Sequence, residues 1–266
     1  MKHSLRLWII AFLITAASAA YQRLTGPTHP MSGDVAIDGT PIHYSLPRSH
    51  GGPDDCPVEL TTNDDQVRGI IEWKPHNSND EWTSTEMKYA NRELSAQLPH
   101  QPPAGKLDYR ITLTKAGEKR QLPASDPLVI RFKGDVPLLI LILHILAMFG
   151  GMLLSARVGL EALQRDAQFS KLILWTIVFL FVGGLILGPV VQWYAFGVFW
   201  TGWPVGTDLT DNKTAVALIS WIIAAIMLRR SAHPSRWALA ASLITLAVYL
   251  IPHSVLGSEL DCKSVR

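Results

Sequence analysis

Cysteine is scarce in this chain, with two residues, Cys56 and Cys262, in 266. That is too few for a disulfide framework or a thiolate zinc site. The two would share an oxidising compartment, so a single Cys56–Cys262 pair stays open as an alternative to two free thiols. Net charge is also small, +2 at pH 7. With no basic stripe along the chain, a nucleic-acid partner is excluded as an expectation. Glycine-rich phosphate loops, His-Glu-x-x-His, Gly-x-Ser-x-Gly and Cys-x-x-Cys are all missing, which removes the common signatures of phosphoryl, metalloprotease, hydrolase and dithiol chemistry. The acidic turns 63–65 and 77–80 lack the ligand spacing of a calcium loop.

Long apolar runs are absent from residues 22–135 and dominate after Val136. Two kinds of segment thus share one chain. Residues 1–21 begin with Lys2 and Arg6, continue apolar from Leu7 to Thr15, and end in small residues. This order fits a secretory signal cleaved after Ala19, or equally a short membrane anchor that is kept. Residues 22–34 read as a linker, with Gly26-Pro27 and His29-Pro30.

From 35 to 134 the period is two. Ile42, Tyr44 and Leu46 alternate with polar neighbours, and so do Leu107, Tyr109, Ile111 and Leu113, while Leu128, Ile130 and Phe132 alternate with Val129, Arg131 and Lys133. Turn clusters at 49–55, 63–65, 76–80 and 102–105 separate the runs. The pattern predicts a β-sandwich of about seven strands. Leu98-Pro-His-Gln-Pro-Pro-Ala-Gly-Lys-Leu-Asp-Tyr-Arg-Ile111 resembles the proline-rich turn and tyrosine strand of fibronectin type III and related immunoglobulin-like modules. The resemblance covers residues 35–134 and implies a binding or spacing module held by packing alone. His43, His50, His76 and His100 lie scattered in this region and read as ordinary surface residues.

Gly134-Asp135-Val136-Pro137 leads directly into the first apolar run. Asp135 is the expected helix cap, with Pro137 in the first turn. Four spans are expected near 136–156, 172–194, 213–229 and 237–256, followed by a tail at 257–266. The fold class is therefore α+β by segregation: an immunoglobulin-like sandwich, then a four-helix transmembrane bundle, with an N-terminal signal or anchor helix. Arg157, Arg165 and Lys171 occupy one short loop, Arg229, Arg230 and Arg236 another, and Lys2 and Arg6 the start. The positive-inside rule then places the sandwich, the loop 193–213 and the C-terminus outside the cytoplasm, in an inner-membrane protein. That loop is rich in Trp, Tyr and Phe, as befits the level where headgroups meet water.

Within the apolar half, His144 shares a helical face with Ala147, Met148 and Gly151 and is expected to look into the bundle. An ionisable side chain at such depth is a candidate functional group. His253, Asp208 and Asp211 are expected at the outer end. Together with His144 they form a candidate transition-metal site, or the two imidazoles a candidate haem site. The plainer alternative makes His144 a neutral imidazole bonded to a neighbouring helix and Asp211 the cap of the third span. Adjacent His253 and Ser254 point about 100° apart on a helix, which disfavours a nucleophile–base pair. Gly183, Gly184, Gly188 and Pro189 predict close helix crossing and a kink. Asn212-Lys-Thr214 matches a glycosylation sequon that abuts a span. The leading functional expectation is a non-enzymatic accessory subunit of an envelope assembly, in contact with lipid and a membrane partner. Its rival is an intramembrane metal-, haem- or quinone-binding redox or transport protein with its site near His144 and His253.

Overall fold

A computed structural model describes residues 2–164, 167–206 and 208–251. His253, Ser254, Cys262, Arg165 and the tail 257–266 lie outside these residues. The described residues divide into two compact units, one of strands (28–135) and one of helices (2–27 and 136–251).

Eleven strands among the described residues build the first unit: β1 (Met31–Ile37), β2 (Thr40–Leu46), β3 (Ser49–Gly51), β4 (Cys56–Thr62), β5 (Arg68–Pro75), β6 (Thr83–Glu86), β7 (Lys88–Ala90), β8 (Glu93–Leu98), β9 (Lys106–Lys115), β10 (Glu118–Leu122) and β11 (Leu128–Lys133). One sheet runs β1-β2-β4-β8-β7 and the other β3-β11-β9-β5-β6, with β10 also paired to β9. Every pairing is antiparallel except β3 with β11. Alternate side chains turn inward, as the pleat requires. Leu60 faces Leu94 across one sheet and Ile71 faces Ile111 across the other. Both sets belong to one core with Ile37, Ile42, Leu107 and Phe132, all of them 1% exposed or less. Each such side chain contributes about 1.5–3 kcal/mol. The arrangement is β-sandwich-like.

The strand count exceeds the expected seven in part because two-residue hairpins add β1 and β10. Asp38-Gly39 and Ala116-Gly117 turn with positive φ at both residues, the geometry that matches strand twist in a two-residue hairpin. The Asp38-Gly39 turn adds β1, so strand structure begins at Met31, inside the expected linker. The segment 49–55, read as a turn, contains β3. Arg131, expected on the outer face of its strand, is 7% exposed.

The helical unit contains α1 (Lys2–Thr25), α2 (Leu138–Ala162), α3 (Ser170–Leu180), a π-helical turn (Phe181–Leu187), α4 (Gly188–Phe196), α5 (Leu209–Arg230) and α6 (Pro234–Leu250). Among the described residues, four helical stretches are long and apolar enough to cross a membrane: Ser4–Thr25, Leu138–Ala162, Ser170–Phe196 and Leu209–Arg230. The last helix is shorter than the expected 237–256, since Ile251 is already extended. Its 17 residues span about 26 Å at 1.5 Å each.

The N-terminal helix is longer than its apolar run and packs within this unit. Leu7, Ala11, Thr15 and Ser18 are 8% exposed or less, and their spacing puts them on one face. Trp8 lies 5.5 Å from the Arg157 guanidinium, which also bonds Glu161 one turn on at 2.6 Å. Trp221 Nε1 donates to Thr245 (2.8 Å), Ser242 to the Ser155 carbonyl (2.9 Å) and Tyr249 to the Met148 carbonyl (2.8 Å). Asp135 does not cap α2. Pro137 occupies the cap position and no side chain bonds the first turn. Pro189 has no N–H to continue an α-helical ladder, and the expected irregularity takes the form of the π turn, where Gly188 N–H donates to the Gly183 carbonyl. A Cβ on Gly183 would stand 2.9 Å from that of Ala147, so glycine lets α2 approach.

Candidate functional site

A polar cluster of the helical unit gathers where α4 ends and α5 begins. Gly197, in the left-handed conformation at φ 77°, terminates α4, and glycine adopts it without a Cβ penalty. The chain then loops through Val198–Gly206 and re-enters a helix at Asp208. Asp208 is the N-cap of α5 and accepts from Thr210 N–H at 2.7 Å, satisfying one of the donors every helix start leaves open. The plainer alternative gave the cap to Asp211, which instead lies within the first turn.

Asp211 reaches back to the loop. Its carboxylate accepts from the N–H groups of Thr201 (2.7 Å) and Gly202 (3.0 Å). The Gln192 side-chain nitrogen, on α4, donates to the same carboxylate at 3.0 Å, while its oxygen accepts from the Thr201 hydroxyl at 2.7 Å. That hydroxyl also stands 3.2 Å from Asp208 and 3.3 Å from Asp211. One proton thus faces three acceptors. Asn212 accepts from Trp203 N–H at 2.6 Å. A Cβ on Gly202 would meet the Asp211 Cβ at 2.7 Å and Asn212 Oδ1 at 2.8 Å, which leaves room for glycine alone. Hydrogen bonds to a charged acceptor contribute about 1.5–3 kcal/mol each.

A second set of polar groups closes the neighbouring helix end. The Lys213 ammonium donates to the Ile251 carbonyl at 2.6 Å, and the Gln22 amide to the Tyr249 carbonyl at 2.9 Å. Both act on the carbonyls that the end of α6 leaves without a partner, and a cation is favoured there by the helix dipole. Gln22, Thr201 and Lys213 were not singled out as site residues by sequence reasoning, and Gln192 was noted only as the outer end of the kinked span. Polar residues at the edges of apolar runs were the available signal.

What this base supports is apolar. Trp203 and Val205 at the loop tip are 78% and 76% exposed, and Phe199 is 55% exposed. Phe199 stacks on Trp193, 5.6 Å between centroids. A buried polar floor therefore presents a preformed aromatic surface.

Of the four candidate ligands, Asp208 and Asp211 come together through Thr201. His144 Nδ1 donates to the Gly183 carbonyl at 2.9 Å, since a carbonyl can only accept. His253 lies outside the described residues. Among the described residues, no three His, Cys, Asp or Glu side chains gather as a metal-ligand group.

In the strand unit, Cys56 is buried and free, and burial pushes its thiol up to about 11. His76 bonds Asp108 at 2.6 Å, while His50 and His100 both meet the Phe132 ring edge-on. Two of the four scattered histidines thus share one aromatic partner. The Tyr109 hydroxyl donates to the Pro47 carbonyl at 2.8 Å.

No family model matches the chain, and no curated protein matches it. A solved structure described as a Br derivative of BhCBM56 is similar at 12% identity, with a TM-score of 0.24, over 39% of this chain and 92% of that one. At that score it carries no argument about function.

Proposed function

We propose that this is an inner-membrane protein whose immunoglobulin-like unit lies outside the cytoplasm, and that it serves as a non-enzymatic accessory subunit, docking on a membrane partner. The rigidly based aromatic loop carries this reading. Phe199, Trp203 and Val205 are held out by a network that consumes Asp208, Asp211 and Asn212 as acceptors. Large exposed aromatics on a fixed scaffold are the kind of residue that dominates protein interfaces. The helical stretches long enough to span support membrane insertion. The basic residues at 157–171 and 229–236 support the orientation. The packed face of α1 supports its retention as an anchor.

The strand order supports the finer classification. β2-β4-β8-β7 against β11-β9-β5 parallels the ABED and CFG sheets of immunoglobulin-like sandwiches, with β1, β3, β6 and β10 added. Trp73, on the strand in the C position, packs against the core.

The test is purification in mild detergent after cross-linking, comparing the native chain with a Phe199→Ser, Trp203→Ser, Val205→Ser variant. A partner retained by the first and lost by the folded second is the expected result. A solitary monomer with no cross-linked partner would sink the accessory role.

A further inference from the structure

A groove of about 780 Å³ opens between α3 and α5 at the end of the helical unit that carries Arg229 and Arg230. Its walls include Leu174 and Ile177 from α3 and Ile222 and Ile226 from α5. Most of these are exposed, Leu174 at 60% and Ile226 at 48%. The groove runs from Ile222 to Arg230, about 12 Å along the helix at 1.5 Å per residue. Arg229, Arg230 and Ser170 line it where α3 begins and α5 ends.

The shape has a local cause. A Cβ on Gly184 would collide with the Thr214 methyl, so this segment and α5 press together there. Farther along, towards Ser170 and Arg229, the helices leave a slot. A slot closed at one end suits a flexible chain better than a helix about 10–12 Å across. The mouth is cationic. Among the described residues, neither Arg229 nor Arg230 makes a hydrogen bond or ion pair. The first turn of α3 also opens here, and its cap, Phe169, offers no side-chain acceptor to the free N–H groups.

We infer that this groove binds an anionic membrane lipid, with Arg229 and Arg230 holding the headgroup phosphate and the aliphatic walls receiving an acyl chain. A guanidinium matches phosphate geometry as a fork, and the four aliphatic residues match hydrocarbon. The occupant is anionic because, among the described residues, the formal charges lining the groove, Arg229 and Arg230, are positive. The inference rests on the membrane reading above and adds a lipid class and a location to it.

Native mass spectrometry of the full chain in mild detergent, titrated with phosphatidylglycerol or phosphatidylcholine of the same acyl chains, tests it. One phosphatidylglycerol per chain is expected, at roughly tenfold or greater preference. Each arginine near a headgroup is worth about fivefold in binding, so R229A with R230A is expected to cost on the order of 20-fold. R229K with R230K keeps the charge but loses the guanidinium fork, so its affinity falls between those of the native chain and R229A/R230A. Ile222→Trp with Ile226→Trp obstructs the aliphatic wall and weakens binding with both arginines present. Arg236→Ala, outside the groove, leaves binding unchanged. Equal binding of the two lipids, an unaffected R229A/R230A variant that retains native helicity, equal sensitivity to Arg236→Ala, or displacement by inorganic phosphate would each overturn the site. Release of the chain from membranes by alkaline wash would overturn the membrane reading itself, and this site with it. An embedded chain without lipid preference would overturn the site alone.

Discussion

The strand unit and the helical unit handle apolar side chains in opposite ways. In the strand unit they turn inward, and Met31 and Ile70 are the exposed large hydrophobics there. In the helical unit Leu138, Leu139, Ile142, Leu143 and Leu146 of α2 alone are 44–70% exposed. The interior of that unit contains Ser155, Thr176, Ser242 and Thr245. Water outside makes inward burial the dominant drive. Under the proposed bilayer, lipid is as apolar as leucine, so small residues and interhelical hydrogen bonds set the contacts instead. One chain thus follows two packing rules.

The comparison can be broken most severely with an aspartate placed on each side of it. Leu107→Asp buries an unpaired carboxylate in the strand core and is expected to cost about 4 kcal/mol or more. The readout is maleimide labelling of Cys56 in a Cys262→Ser background, slow when folded and fast in the variant. Native-like protection would refute the shared core. Ile142→Asp faces outward. In water that change would be nearly neutral, whereas in hydrocarbon it costs about 3–4 kcal/mol, so membrane recovery should fall while Cys56 stays protected. Undiminished recovery would count against insertion.

Asp211→Asn sharpens the comparison within the helical unit. The amide keeps the shape but loses the charge that three N–H donors address, costing about 1–3 kcal/mol. Trp203 emission should become more quenchable by iodide, and an unchanged spectrum would remove Asp211 from the loop's support.

The smallest effect comes from acid titration of the strand unit. The Asp64 carboxyl is held down to about 2, first by its hydrogen bond from Lys115, then by Gln66 N–H and the Thr40 hydroxyl. Its folded pKa lies below the ordinary 3.8, so its contribution is complete above about pH 4 and is lost as pH falls towards 2. The thermal midpoint gap between the native chain and Asp64→Asn should therefore close across that window. A gap independent of pH would rule out the ion pair as its origin.

Local pattern carried much of this architecture. The alternation at Leu107, Tyr109, Ile111 and Leu113 reappears as four fully buried residues, because a pleat enforces a period of two wherever one face is wet. The apolar runs after Val136 likewise reappear as helices. Arg131 escaped the same rule, because alternation gives the face of a strand but not how deeply a neighbour covers it. At the candidate site, the acids at 208 and 211 were visible as residues, but their roles were not. Whether an acid caps its own helix or reaches a loop ten residues back depends on where that loop returns.

Composition and periodicity by themselves determined the division into a strand-rich and a helical unit, the strand faces and the exposed apolar belts, since these follow from side-chain solvation repeated every two or 3.6 residues. Tertiary structure alone decided the parallel pairing of β3 with β11 and the packed face of α1. It also decided the bond from His144 to Gly183 and the polar floor under Trp203. Each of those joins residues far apart in the chain or fixed by a loop's path, and no local repeat encodes such a meeting.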